Sequence, residues 1–381
     1  MHKNILLKKK IISQFTIVFV VTAVFAFLNS CTKTITETVI EEPSWKSDSY
    51  FLYNDKIILN SYATQDELFV LAFSLFTIFD YTSENPVYSR LESLTSSMNY
   101  KPIISDQITA FSNDPQTAIV FKLNGRFQPT GEYIYLSQID SIFVNNGKLG
   151  ANFYTEPIGA FSNNNQFLTM FMDNDHNPYF ALIDYIFDDN TYSGIQVTSA
   201  QSILIEDWIL LCIEDIESFG NRFFVATHGM GDSKPNFLVY PSGYYEEIDI
   251  RYYGVEFFSY RDIVYLLISD NNLYCSHDLG ENWELVGTFY PAHLSPRFFE
   301  INGKLCVYIY SQIWEFDIDN AEVRELDNWG LEGNEITSIN EFNDKVYITT
   351  LSGLFYRDVE EFFTYKEDNG KEKGKLTFEK I

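Results

Sequence analysis

Two stretches of this chain combine residue types that could hold or transform a ligand. In YYEEIDIRYY, Tyr244 to Tyr253, four Tyr accompany Glu246, Glu247 and Asp249. Rings can stack on a sugar while carboxylates accept its hydroxyls, and two acids at a suitable separation can hydrolyse a glycosidic bond. Tyr244, Tyr245, Glu246 and Glu247 are therefore the candidate carbohydrate contacts, against the plainer reading of an alternating strand with a solvated acidic turn. In DNDHNP, Asp173, Asp175 and Asn177 fall at calcium-loop offsets with Asp184 at the twelfth position. Pro178 stands where that loop needs Gly, so the expectation is a hairpin turn and no metal. The five His are scattered, with no His-x-x-x-His and no Gly-x-Ser-x-Gly, so neither metal hydrolysis nor acyl transfer has a motif here. No catalytic residue and no cofactor is assigned.

A third stretch, SHDLGENW, reads as construction. Ser276 and Asp278 can accept hydrogen bonds from turn amides, Gly280 can take a positive φ, and Trp283 supplies a large apolar anchor. It follows a short apolar run, as the turn of a hairpin should.

The elements that position these residues are strands. Of 381 residues, 34 are Phe, 26 Tyr and 5 Trp, and aromatic side chains favour pleated, packed surfaces. FGNRFFVAT from Phe219, YRDIVYLLI from Tyr260, INGKLCVYI from Ile301 and FNDKVYITT from Phe342 each join an apolar residue, a polar turn and a hydrophobic run. Their starts are evenly spaced, and looser copies begin at Tyr53, Phe111 and Phe161 with wider, uneven steps. Seven units of about 41–58 residues, each of several short strands, predict an all-β, seven-bladed β-propeller over residues 46–381. TQDELFVLAFSLFTIFDY has Thr64 and Glu67 at capping-box spacing, yet its repeat context favours two consecutive strands over a helix. The final KLTFEKI is expected to close the ring on an early strand, removing sheet edges. Cys212, Cys275 and Cys306 lack C-x-x-C spacing and indicate neither a zinc site nor a disulfide framework.

SHDLGENW resembles the Asp-box of sialidase-like and other BNR-repeat propellers, matching at Ser276, Asp278, Gly280 and Trp283. FDIDNAEV keeps Asp319, one repeat period after Asp278, and loses the Gly and Trp. The resemblance implies a propeller whose Asp-box is a folding staple at the blade periphery. Sialidase chemistry would bring an Arg-Ile-Pro motif and three arginines clamping a carboxylate. This chain has no Arg-Ile-Pro and eight Arg in all, which argues against that enzyme.

The N-terminus reads as an address. Lys3 and Lys8 to Lys10 precede an apolar run ending at Leu28, and LNSC then resembles the bacterial lipobox, with Leu28 at −3, Ser30 at −1 and Cys31 as the acylated residue. The expectation is a lipoprotein signal peptide at 1–30, a flexible tether at 31–45 and membrane attachment through lipid on Cys31. Thr32 rather than Asp after the cysteine resembles lipoproteins sent to an outer membrane. Removing residues 1–30 takes away four Lys and no acid, so the charge deepens from −27 to −31. A surface so acidic repels nucleic acid, whose binders replace counterions with Lys and Arg. Two functions remain: a non-catalytic envelope propeller binding a protein, glycan or envelope component, and a glycoside hydrolase acting at the propeller mouth.

Overall fold

Runs such as ELFVLA alternate their side chains between two faces, and here both faces are covered. Leu68, Val70 and Ala72 pack with Phe342 and Leu354, whereas Phe69 and Leu71 pack with Ile104 and Val120. A continuous apolar run is thus a strand buried on both sides. The computed structural model describes residues 44–54, 56–73, 75–80, 87–90, 103–114, 118–124, 132–135, 148–149, 159–173, 175–208, 211–228, 235–366 and 376–381.

In chain order, β1 (Lys46–Ser47) and helix α1 (Ser49–Asn54) precede the sheets. Blade 1 is β2 (Ile58–Ala63), β3 (Glu67–Ala72), β4 (Leu75–Asp80) and β5 (Val87–Arg90). Blade 2 is β6 (Ile103–Ile104), β7 (Ile108–Asp114), β8 (Ala118–Leu123) and β9 (Glu132–Tyr135). Blade 3 holds β10 (Lys148–Leu149), β11 (Ala160–Ser162), β12 (Gln166–Met172), β13 (Pro178–Phe187) and β14 (Ile195–Leu204). Blade 4 is β15 (Cys212–Phe219), β16 (Arg222–His228), β17 (Asn236–Val239) and β18 (Tyr245–Ile248). Blade 5 begins with β19 (Gly254–Tyr260), β20 (Ile263–Ile268), β21 (Asn272–Ser276) and β22 (Glu284–Tyr290). Blade 6 is β23 (Arg297–Ile301), β24 (Lys304–Ile309), β25 (Gln312–Asp317) and β26 (Glu322–Glu325). Blade 7 runs β27 (Ile336–Phe342), β28 (Lys345–Thr350) and β29 (Gly353–Asp358), followed by helix α2 (Val359–Phe362) and β30 (Thr377–Lys380).

Among the described residues these strands form seven antiparallel sheets. Seven buried clusters hold them, and each spans one seam between neighbouring blades. The aromatic excess is spent there: Phe121 lies 5.1 Å from Phe167 across seam 2–3, Phe180 5.5 Å from Phe237 across 3–4, and Phe258 4.0 Å from Phe298 across 5–6. The chain is a seven-bladed β-propeller, and TQDELFVLAFSLFTIFDY supplies β3 and β4 rather than a helix. Thr64 caps no helix; its Oγ1 accepts the Glu67 N–H at 2.9 Å and closes the β2–β3 turn.

Three expectations are corrected. KLTFEKI does not close the ring: β30 pairs with β22 as a fifth strand of blade 5. Closure comes from the other terminus, where β1 pairs with β29 as the outer strand of blade 7. Ser44 and Trp45, placed in the tether, already belong to that blade, for Trp45 is 3% exposed and donates its indole N–H to the Asp327 carbonyl. The repeat starts also shift. Tyr53 lies in α1, and Phe111 lies in β7, past the turn of the first hairpin of its blade. The equivalent turns are Thr64–Glu67 and Ser105–Ile108, each closed by one hydroxyl bonding both the N–H and the C=O of the turn's last residue. Thr64 and Ser105 stand one regular period apart. That period thus includes blades 1 and 2, and the insertions sit around blade 3, whose β13–β14 hairpin has two long strands. Residues 1–43, with the signal peptide, most of the tether and Cys31, lie outside the described residues. Among those described, no helix is long and apolar enough to cross a membrane.

Candidate functional site: the central channel

A ring of seven sheets leaves an axis, and the innermost strand of each blade lines it. The resulting channel has a volume of about 860 Å³ and takes side chains from every blade, among them Ser61, Asp106, Ser162, Asp215, Glu256, Arg297 and Ser338. Its lining is more polar than the seams, because these strands keep one side on the channel.

Three charged side chains meet inside. Asp215, Glu256 and Arg297 occupy the same repeat position in blades 4, 5 and 6, one period apart each time, and Ser338 continues the series in blade 7. Arg297 Nη1 donates to Asp215 Oδ1 at 3.0 Å and to Glu256 Oε2. Each carboxylate also takes a backbone N–H from the next blade, Asp215 from Phe257 at 2.7 Å and Glu256 from Phe298 at 3.4 Å. A β-bulge just before Asp215 and another before Glu256 break the register with the second strand, which aims these side chains along the seam. Burial drives the Glu256 carboxyl well above its ordinary value, opposed by Arg297 and reinforced by Asp215 and Glu217. Burial pulls the Arg297 guanidinium down, but Glu256 and Asp215 outweigh it and hold the group charged. Burial also raises the hydroxyl of Tyr308, which lies against this cluster.

At seam 7–1 hydroxyls and an amide replace the charges: Asn340 Nδ2 donates to Ser61 Oγ at 2.7 Å, and Asn340 Oδ1 accepts the Ala63 N–H at 3.2 Å. The channel interior is therefore a belt of bonds between blades. Its end at the β6–β7 and β11–β12 turns is different, for Asp106, Asn163, Asn165, Glu217 and Phe187 are exposed there. Burial and the Asp106 charge raise the hydroxyls of Tyr62 and Tyr185 behind this rim. The long β13–β14 hairpin stands beside it, with Ile186, Phe187 and Tyr192 exposed.

The tyrosine–glutamate stretch is elsewhere. Tyr245, Glu246 and Glu247 belong to β18, the outer strand of blade 4, with Tyr244 in the turn before it. Tyr245 packs on Phe180 and Phe237 and bonds the Leu204 carbonyl of blade 3. Glu246 accepts the Tyr240 hydroxyl on one side of the strand, and Glu247 accepts the Trp208 indole N–H at 2.7 Å on the other. Two acids on opposite faces cannot flank one glycosidic bond. Tyr244 is the exposed member, with its ring against Tyr240.

SHDLGENW forms the β21–β22 turn on the rim of blade 5. Ser276 Oγ accepts the Gly280 N–H and donates to Asp278 Oδ1, both at 2.8 Å. Asp278 also accepts the Asn282 backbone and side-chain N–H groups, and these bonds hold its carboxyl down at about 2. Gly280 has φ +95°, and a Cβ there would lie 2.7 Å from the Phe224 ring of blade 4. Trp283 packs on Phe224 and Phe257, and Arg222 of blade 4 bonds the Leu279 carbonyl and Glu281. The turn clamps blade 5 to blade 4. In blade 6, Asp317 accepts the Asn320 N–H groups, and Asp319 pairs with Arg261 of blade 5 at 2.8 Å. DNDHNP is the β12–β13 turn, its Asp173 carboxylate accepting the Asp175 and Asn177 N–H groups.

The Asp215–Glu256–Arg297 cluster was missed in the sequence, although a signal was present: each residue stands four before an aligned repeat start, so charged side chains recur at one repeat position.

No family model matches this chain, and no curated protein matches it. Solved propellers do. A virginiamycin B lyase from Staphylococcus aureus, an inactive variant with quinupristin, is similar at TM-score 0.53 and 11% identity, over 83% of this chain and 98% of that one. YCF48 bound to D1 peptide is similar at TM-score 0.50 and 10% identity, over 84% and 98%. At such identities the likeness is one of fold, and this fold carries both an enzyme and a peptide-bound protein.

Proposed function

We propose that this chain is a lipid-anchored propeller of a bacterial envelope, engaged by partners at the exposed end of its channel, and that it binds rather than catalyses. The observation that carries this reading is the contrast along the axis. The paired acids inside, Asp215 and Glu256, are consumed by Arg297 and by backbone N–H groups. The rim groups Asp106, Glu217 and Phe187 are exposed. A hydrolase needs one carboxyl free to donate a proton and another free to act as base or nucleophile; inside the channel both acids belong to the scaffold, and the exposed carboxyls are those of the solvated rim. An acidic rim beside an apolar hairpin suits an extended polypeptide with a basic residue, and a propeller of similar fold is described with a bound peptide. Long elements on a rigid scaffold are where recognition gathers.

In the same reading SHDLGENW is an Asp-box, a rim staple outside the binding site, and Cys31 carries the lipid that holds the chain to the outer membrane. Cys31→Ala should abolish acyl labelling and membrane retention; a wild type without label on Cys31 removes the address. For the site, the full-length protein is screened against arrays of basic, neutral and acidic peptides, a glycan array, and aryl glycosides and sialosides for turnover. Retention of basic peptides that is lost in Asp106→Lys with Glu217→Lys is expected. Turnover that disappears when a single acid of the channel or its mouth is replaced, in Asp106→Asn, Glu217→Gln, Glu256→Gln or Asp215→Asn, sinks the binding reading in favour of the hydrolase, and glycan retention replaces the peptide.

A further inference from the structure

The rim of blade 5 carries a second constellation, beside the SHDLGENW turn and away from the channel. Cys275 and Glu284 are cross-strand partners on β21 and β22, so their side chains leave the same face of the hairpin. His277 follows Cys275 by two residues, the spacing that returns a side chain to that face. The Cys275 thiol, the His277 imidazole and the Glu284 carboxylate all bring a ligating atom within 4.8 Å of the others, and Cys275 Sγ stands 3.8 Å from His277 Nε2.

We infer that Cys275, His277 and Glu284 form a three-donor site for a borderline divalent cation of the Zn2+ class. Sulfur, imidazole nitrogen and carboxylate oxygen are the donors such an ion takes, at bond lengths that set tetrahedral donors about 3.3–3.8 Å apart. The observed S–N separation meets that spacing before any ion is bound. Thiolate and imidazole select against Mg2+ and Ca2+, which prefer all-oxygen shells. The scaffold is rigid at this point, because Ser276 and Asp278 on either side of His277 are tied to each other and to the Gly280 and Asn282 amides. Among the described residues no ion pair or hydrogen bond from a basic side chain occupies Glu284, so the acid next to the thiol lacks a cation. Cys275 is a free, buried cysteine, whereas His277 and Glu284 are exposed, which opens the fourth position to water or to a partner's side chain.

The test uses the full-length protein in detergent with a non-thiol reductant and Co2+ as the probe. One equivalent should produce the near-ultraviolet thiolate-to-cobalt absorption, and Zn2+ should displace it. Cys275→Ser should abolish the band, and His277→Ala and Glu284→Gln, both surface changes, should weaken Co2+ binding at least tenfold while leaving the thermal midpoint of the apo protein in place. The acidic surface will hold Co2+ loosely elsewhere, and the sulfur band separates that from this site. A missing band at one equivalent overturns the inference. So does a band that survives Cys275→Ser, or one that neither His277→Ala nor Glu284→Gln weakens.

Discussion

Arg297 sits between two acids that face each other across seam 4–5, and its removal would leave them buried without a cation. Breaking such a cluster by deleting its cation costs about 3–5 kcal/mol, so Arg297→Ala should lower the denaturant midpoint sharply at pH 7. Glu256→Gln should cost far less, since it removes the group whose ionisation burial opposes. The sign in pH follows from the raised Glu256 carboxyl. Its stabilising contribution is full below the unfolded value, about 4.3, and is lost as pH rises through the folded one. Glu256→Gln should therefore gain on the wild type as pH rises from 4 to 8; a constant difference would mean that Arg297 fully offsets burial. Asp278 runs the other way. Its carboxyl is held at about 2 by Asn282 and Ser276, so its contribution is present above about 3.9 and lost as pH falls towards 2. Because the side chain is exposed, Asp278→Ala should cost only about 1 kcal/mol at pH 7, and the gap in thermal midpoint should close between pH 4 and 2.

Strands, not residues, were the legible unit of this sequence. The even repeat period located four second strands directly, from Phe219 onward, because each couples a polar turn to a run buried on both faces. The same double burial hid the upstream register: ELFVLA and AIVFKL show no alternation to mark which strand of a blade they are. The copies that begin at Tyr53 and Phe111 therefore fall on the wrong strand, while the true equivalents are the Thr64 turn, whose capping-box spacing masks it although its segment reads correctly as two strands, and the Ser105 turn, which carries no Asn, Gly or Pro to mark it. The charged belt was legible in principle at Asp215, Glu256 and Arg297, but a carboxylate in a strand carries no mark of the partner another blade will supply. Strand order was not legible at all. β30 reaches blade 5 because Gly287 lets it: a Cβ there would lie 2.4 Å from the Glu379 carbonyl and 2.7 Å from the Phe378 ring. Gly287→Val should push β30 off β22, speeding amide exchange at Thr377–Lys380 and C-terminal trimming while the seven blades keep their near-ultraviolet signal. Unchanged exchange would show that β22 yields instead.

At the scale of the whole ring, stability depends on where the circle is joined. Blades 1, 2, 4 and 6 take four strands, and blade 3 five, from one continuous stretch of chain, and blade 5 does the same before β30 joins its outer edge; a ring made only of such blades could open at any seam for the loss of one hydrophobic cluster. Blade 7 differs, because its outer strand is β1, which comes from the opposite end of the chain. Two ladder pairs are few, so the join must rest on side chains. Trp45 meets Phe362 at 6.1 Å edge to face, lies under the Arg357 guanidinium and bonds the Asp327 carbonyl. Phe51 of α1 then fills seam 7–1 beside Phe342 and Leu354. Trp45→Ala should cost about 3–5 kcal/mol, as for other buried large-to-small changes, and amide exchange should accelerate first in β29 and across seam 6–7, where the indole packs, then across seam 7–1, ahead of blades 3 to 5. An alternative is that Phe51 and the Ser61–Asn340 bonds hold the ring alone; a loss below about 0.5 kcal/mol, the range of ordinary surface changes, would establish that. The indole is favoured as the clasp because it joins the first blade-forming residues to three separate elements of the last blades, and no other described side chain before α1 is buried.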